Sequence, residues 1–385
     1  MINNNNRSTF SLMLPLIMGL LFGLLILDYG SSLIEPSEKP EEFALGVETS
    51  TYWGSFSGRR IHCSTPNDSD ECITAYAKHD ADKEIVLWLG NSQLHAINQM
   101  EAKDTNAVEI LHRSMRDDGK YVMGLSYPNT SLQENYVAFE YLSYKLKVET
   151  LILPLVFDDF RETGVGDQFS LAFETPAVVR SLSRTKIGES LVGGHNIKSS
   201  ENSDMAGLQE TIQEQSEVYL NDMLKNKWVI WAERADLRAQ IFGNLYLFRN
   251  WIFGINASSI RNMIPGRYKQ NLEAYNAILE SAAKQNINVL TYIVPLRNDA
   301  QRPYNEDHYF RFKEEVRLMA KDNGARFADL ENLVPSQEWG NKGSTGLGQE
   351  SEIDFMHFQA KGHQRLAEAI SDGLVILGGE QTDDF

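Results

Sequence analysis

Cysteine is nearly missing from this chain: 385 residues contain only Cys63 and Cys72. With no CxxC pair there is no cysteine metal or redox motif. The most these two can form is one small disulfide-closed loop in an oxidising compartment; two free thiols are the other reading. Positive charge is also short, since 36 Lys and Arg face 53 Asp and Glu and leave a formal charge of −17. Nucleic acid is thereby excluded as a partner, because phosphate backbones demand a basic footprint. HExxH, G-x-S-x-G and GxxxxGK[ST] are absent as well. The Gly-rich GNKGSTGLG at 340–348 has the wrong order for a phosphate loop and reads as a mobile loop. A metal would have to be held by Asp354, His357 and His363; no metal and no cofactor is expected. What is present is ordinary globular usage, 42% apolar and 23% charged, which excludes a disordered or collagen-like polymer.

Charge-free apolar sequence is concentrated in one place, the eighteen residues FSLMLPLIMGLLFGLLIL from Phe10 to Leu27. That length is near the minimum for crossing a bilayer core of about 30 Å. Arg7 and the terminal amine precede it, and Asp28, Glu35, Glu38, Glu41 and Glu42 follow. The positive-inside tendency places the N-terminus in the cytoplasm and the main domain outside, in the periplasm or at the cell surface. A cleaved signal peptide cut near Gly30, Ser31 and Ser32 is the competing reading, but the run is longer than a usual signal core. Either way the remainder is exported.

An acidic tether, IEPSEKPEEF, follows, and residues 43–80 read as irregular and polar. Then EIVLWLG (84–90), KYVMGLS (120–126) and ETLILPLVF (149–157) read as buried strands. Residues 93–117 and 132–146 carry helical spacing between them. The alternation resumes with helix 271–285, strand 287–296, helix 312–324, strand 325–330 and a closing helix 357–374. Such alternation predicts an α/β domain with a mainly parallel sheet covered on both faces. Residues 176–265 break it, with a Gly/Ser-rich loop and then the aromatic WVIWAERADLRAQIFGNLYLFRNWIFGI. The expected division is a cytoplasmic terminus 1–9, an anchor 10–28, and a tether with irregular segment 29–80. The domain halves are 81–175 and 266–378, around a helical insertion 176–265, with an acidic tail 379–385. The insertion's aromatic face suits a lid, a docking surface or a bilayer patch, or it simply packs on its own domain.

Two segments carry chemistry. In GNSQLHAIN, Ser92 stands at a strand-to-helix turn, where open α/β sheets bind ligands at the carboxyl ends of their strands. Its backbone N–H can face a developing oxyanion, and Gly90 permits the tight turn. Serine is equally a common helix N-cap. In DFMHFQAKGHQRLAEAI, Asp354 and His357 are spaced to project to one side, the carboxylate orienting the imidazole as a general base. An Asp N-cap beside a surface His is the plainer alternative there.

Gly90-Asn91-Ser92 and Asp354-Phe355-Met356-His357 together resemble the first and last blocks of the SGNH/GDSL hydrolase superfamily. The resemblance covers roughly 82–175 and 266–378. It implies a flavodoxin-like three-layer sandwich, with an N-terminal transmembrane helix and a helical insertion outside the shared part. It also implies Ser92 as nucleophile, with Asp354 and His357 completing a triad. The chain departs from the family at Asn91, where an Asp is usual. Its second block reads Leu125 to Ser131, with Asn129 as the available donor, and its third has Asp158, Asp159 and Arg161 where an Asn is usual. Arg161 either replaces that donor or is simply held by the two acids. Gly90, Asn91, Asn129, Asp158 and Arg161 are thus the candidate oxyanion or substrate-binding residues.

An anchor, an exported SGNH domain and altered oxyanion blocks are similar to membrane-tethered SGNH proteins that work beside membrane-bound O-acyltransferases. That resemblance implies an esterase or O-acyltransferase acting on acyl groups, acetyl or similar, of a cell-surface glycan or polymer. The expected partners are the bilayer through 10–28, a membrane-bound O-acyltransferase and an acylated glycan. The acidic balance disfavours a long anionic polymer held by bulk attraction. The competing function is a non-catalytic scaffold for a membrane acyltransferase, built on a degenerate SGNH fold.

Overall fold

A computed structural model describes residues 49–195, 250, 252–343 and 351–377. The expected anchor at 10–28, the tether up to 48, the tail at 379–385 and most of the insertion lie outside the described residues. No helix among the described residues is long and apolar enough to cross a membrane.

Twelve strands are described: β1 (Thr49–Thr51), β2 (Ser55–Phe56), β3 (Arg59–Arg60), β4 (His62–Cys63), β5 (Glu84–Gly90) and β6 (Ala96–Asn98). The others are β7 (Lys120–Ser126), β8 (Val148–Leu155), β9 (Asn288–Ile293), β10 (Arg326–Asp329), β11 (Trp339–Lys342) and β12 (Glu352–Phe358). The main sheet runs β10-β9-β8-β5-β7-β4, and every neighbouring pair is parallel. Its inner strands are apolar on both faces; Ile85 through Leu89 are all buried, as a sheet covered by helices requires. Setting aside the edge strand β4, the order is the doubly wound 2-1-3-4-5, whose direction reverses between β5 and β8.

The helices used below are α1 (Asp70–His79), α2 (Ser92–His95), α3 (Ala107–Met115), α4 (Leu132–Lys145), α5 (Ser170–Phe173) and α6 (Pro176–Leu182). After the insertion come α7 (Pro265–Lys284), α8 (Glu306–Asp322) and α9 (Ala360–Leu377). Helix α3 packs with α9 to form one layer, and α7 packs with both α4 and α8 to form the other. Ser131 caps α4 through a capping box with Glu134, which fixes where the chain leaves the carboxyl edge of β7.

Several expectations change. The helix read over 93–117 is broken: α2 lasts one turn, and Ala96–Asn98 then pair antiparallel with β1. Residues 49–80 are not irregular. They supply four strands, one in the main sheet, and helix α1, so the domain begins well before 81. Polar composition hid this because these strands are only two or three residues long. Cys63 and Cys72 are joined as a disulfide that ties β4 to α1. The break expected at 176 is also absent, since Val178, Leu182 and Ile187 enter the main core and residues 186–195 are helical rather than a loop. The returning segment exposes Ile252, Phe253, Ile255 and Ile260. Residues 340–342 are strand, and His357 and Phe358 end strand β12 instead of opening the last helix.

Candidate active site

Strand β5 delivers the chain to the carboxyl edge beside the point where strand order reverses. A Cβ on Gly90 would lie 2.9 Å from Leu94 Cδ2 and 3.1 Å from Leu94 Cβ, so the turn admits only glycine without displacement. Asn91 caps α2, its Oδ1 accepting from Gln93 N at 3.0 Å. Its Nδ2 donates to both carboxyl oxygens of Asp159 at 3.0 Å. Asn91 therefore positions the turn, tied to Gln93 N through its oxygen and to Asp159 through its nitrogen. Ser92 is the first residue of α2, partly exposed, and its N–H is one of those a helix start leaves without an intrahelical partner.

Ser92 and the far-removed pair Asp354 and His357 form one line here. Ser92 Oγ lies 3.0 Å from His357 Nε2, and His357 Nδ1 lies 3.1 Å from Asp354 Oδ2. Asp354 Oδ1 accepts from the backbone N–H groups of Met356 and His357, each at 3.0 Å. Oδ2 also accepts from Asn98 Nδ2 at 3.0 Å. Burial would push the Asp354 carboxyl up; the facing His357 charge and these hydrogen bonds outweigh it and bring it down to about 2. An ionised carboxylate can only accept, so the His357 proton sits on Nδ1. Nε2 is left to accept from the Ser92 hydroxyl.

The other candidates divide. Asp158 accepts from Arg161 at 2.9 Å, from Tyr304 at 3.0 Å and from Arg261. Arg161 also donates to the Asn262 carbonyl at 2.9 Å, so the Asp158–Arg161 pair is a strut between the β8 edge and the returning end of the insertion. Neither residue hydrogen-bonds Ser92. Burial pushes the Asp159 carboxyl well above its usual range, opposed by the Asn91 bond. Asn129 is exposed in left-handed backbone, φ 53°, in the loop from β7 to α4. His363 Nδ1 accepts from Ala107 N at 3.2 Å and Nε2 donates to the Ala96 carbonyl at 3.1 Å, so its ring is structural.

Sequence reading missed the supports. Gln93 Nε2 donates to the carbonyls of Pro295 at 3.0 Å and Met356 at 2.9 Å, joining α2 to the ends of β9 and β12. Behind the turn, Asn106 Nδ2 lies 3.0 Å from His62 Nδ1, and His62 Nε2 lies 2.7 Å from Ser126 Oγ. Ser126 Oγ in turn lies 2.8 Å from His95 Nδ1, and Trp53 stacks on the His95 ring at 4.6 Å. Burial holds His62 well below the usual imidazole range, His95 at about 3 and His363 at about 4. Polar residues inside the apolar periods of 90–126 were the only signal of this network.

No family model and no curated protein matches the sequence. Among solved structures the chain is similar to TesA, with TM-score 0.37 and 12% identity over 76% of this chain and 98% of that one. An alpha/beta hydrolase enzyme from the metagenome of Lake Arreo, Spain, matches with TM-score 0.35 and 8% identity over 75% and 94%. An acetylxylan esterase from Geobacillus stearothermophilus matches with TM-score 0.35 and 10% identity over 77% and 95%. Scores this low support no inference about activity.

Proposed function

We propose that the chain is an SGNH-type serine ester hydrolase or O-acyltransferase, with Ser92 as nucleophile, His357 as general base and Asp354 as its orienting carboxylate. One observation carries this reading: the hydrogen-bonded line Ser92–His357–Asp354 at the carboxyl edge where the sheet order reverses. Ser92 Oγ attacks the acyl carbonyl while His357 Nε2 takes its proton. The Ser92 N–H supports the oxyanion, and the Asn129 loop after β7 supplies a second donor. His357 then protonates the departing alkoxide, leaving acyl-Ser92. Water or a glycan hydroxyl, deprotonated by His357, attacks the acyl group and releases the acid or the new ester.

The substrate belonging to this reading is an acylated cell-surface glycan or polymer. The anchor at 10–28 holds the domain at the outer face of the membrane, beside a membrane-bound O-acyltransferase. The test is to treat the purified full chain with a fluorophosphonate probe and to assay activated acetyl esters. Ser92 is expected to be labelled, and Ser92→Ala to lose at least about 10³-fold in turnover. An unlabelled Ser92, with Ser92→Ala as active as wild type, refutes catalysis. If Ser92→Ala and His357→Ala alleles also restore full polymer modification in cells, the scaffold reading holds.

A further inference from the structure

We infer that Asn98 is a positioning residue for the triad, holding the Asp354 carboxylate through a seat that Gly340 makes room for; this rests on the reading of Ser92, His357 and Asp354 given above. Asn98 is fully buried at the end of β6, and its Nδ2 donates to Asp354 Oδ2 and to the Asn341 carbonyl, each at 3.0 Å. Both neighbours of Nδ2 are acceptors, so the amide has one orientation; turned over, its oxygen would face a carboxylate and a carbonyl. Its own Oδ1 is buried and has no hydrogen-bond partner. A buried acceptor left unpaired is costly, so the residue is kept for what its other end does.

Gly340 explains how the amide fits. A Cβ there would lie 2.1 Å from Asn98 Oδ1 and 2.8 Å from Nδ2. Strand β11 can therefore carry only glycine at that position without driving the amide away from Asp354. The backbone of Asn98 is held from the other side, since Thr49 of β1 pairs with it in register. The chemistry follows from which oxygen is contacted. Asp354 Oδ2 is the atom that accepts from His357 Nδ1, and Oδ1 is occupied by two backbone donors. With four donors on two oxygens, the carboxylate plane cannot rotate, and the imidazole stays aimed at Ser92. Asn98 touches neither Ser92 nor a reacting atom; it acts through Asp354.

The test uses the purified full chain as wild type, Asn98→Leu, Asn98→Asp and Gly340→Ala, each checked for an unchanged circular-dichroism spectrum. Two readouts are taken: the rate of fluorophosphonate labelling at Ser92, and the pH profile of kcat/KM on an activated acetyl ester. Asn98→Leu and Gly340→Ala are expected to lose about 10- to 100-fold in labelling rate and kcat, with KM changed less than about threefold. Asn98→Asp sets a second carboxylate against the first and is expected to move the acidic limb of the profile to higher pH. Labelled wild type with all three variants matching it in rate and profile overturns the role of Asn98 and leaves the triad standing. Wild type that does not label at Ser92 overturns the triad reading, and the role of Asn98 falls with it. Variants that lose rate only in proportion to lost folded protein, with the pH profile unmoved, assign Asn98 to stability and also overturn the proposal.

Discussion

Replacing Asp354 by Asn is the most discriminating single change, because the geometry states what the amide must do. Each carboxylate oxygen accepts two donors: Oδ1 from the backbone of Met356 and His357, Oδ2 from His357 Nδ1 and Asn98. An amide has one accepting end, so its NH₂ must meet one of these pairs. Against the backbone pair it would set N–H against N–H at about 3.0 Å, and the backbone cannot reverse. The NH₂ therefore turns toward His357 and Asn98; Asn98 keeps only its bond to the Asn341 carbonyl, and the ring regains a bond only by accepting at Nδ1 and moving its proton to Nε2. That proton then faces Ser92 Oγ, and the base is lost with the fold intact. Loss of the correct tautomer costs about 10⁴ in kcat, equivalent to about 5.4 kcal/mol. The assay is hydrolysis of an activated acetyl ester by wild type and Asp354→Asn, with melting temperatures compared alongside. Residual activity should climb about tenfold per pH unit, since hydroxide must now ionise the serine. A folded variant that loses less than about tenfold refutes the assignment of Asp354.

Two further outcomes follow from buried groups. His62, His95 and His363 are held neutral by burial, well below 6.5, at about 3 and at about 4 respectively. The unfolded chain binds their protons below pH 6.5 and the folded chain does not, so stability must fall as pH drops from 6.5 toward 4. The slope is about 1.4 kcal/mol per pH unit for each ring, and melting temperatures that stay flat between pH 7 and 5 would contradict it. Asp354 has the usual carboxylate sign: lowered from 3.8 to about 2, it contributes roughly 2 kcal/mol that is fully present above pH 4 and lost as pH falls through 2. The Cys63–Cys72 bridge closes a loop of sequence separation 9, worth about 2.5 kcal/mol by chain entropy. Urea titration of the Cys63→Ser/Cys72→Ser variant should show that loss, and a change under about 0.5 kcal/mol would place the bridge outside the cooperative unit.

The long buried strands and amphipathic helices of this domain could be read directly, because burial on both faces writes itself into runs such as EIVLWLG and KYVMGLS. The order of those strands in the sheet could not. It depends on which helix covers which face, and the resemblance supplied it. The short strands were illegible for a related reason: β4 is two residues long and β6 three, too short for any period to register. At the site, Ser92, Asp354 and His357 were singled out by residue type, spacing and the resemblance, and the fold brings their side chains together. His357 was placed on the wrong element, because a strand end with Gln359 turning into α9 has the same local pattern as a helix start. Asn91 and Arg161 stood among the candidate substrate-binding residues, Arg161 equally as a residue held by the two acids, because sequence shows a donor but not what it binds. Asp159 and Asp158 occupy them.

Hydrogen bonding of this kind also explains the composition of GNSQLHAIN. Three amides flank its serine, and each reaches a different part of the carboxyl edge. Asn91 binds Asp159 after β8, Gln93 binds the carbonyls of Pro295 and Met356, and Asn98 binds Asp354 and the Asn341 carbonyl. A one-turn helix makes too few backbone bonds to hold Ser92 by itself. Amides suit the task because each presents donors to carbonyls and carboxylates without adding charge beside Asp354, which lies in a buried site. Acids at these positions would repel it, and lysines would compete with His357 for its oxygens. The segment's information is thus carried by Asn91, Gln93 and Asn98 as much as by Ser92. A chain sharing only the serine, with apolar residues at those three places, would lose the cap that sets the turn and leave His357 with no fixed line to it.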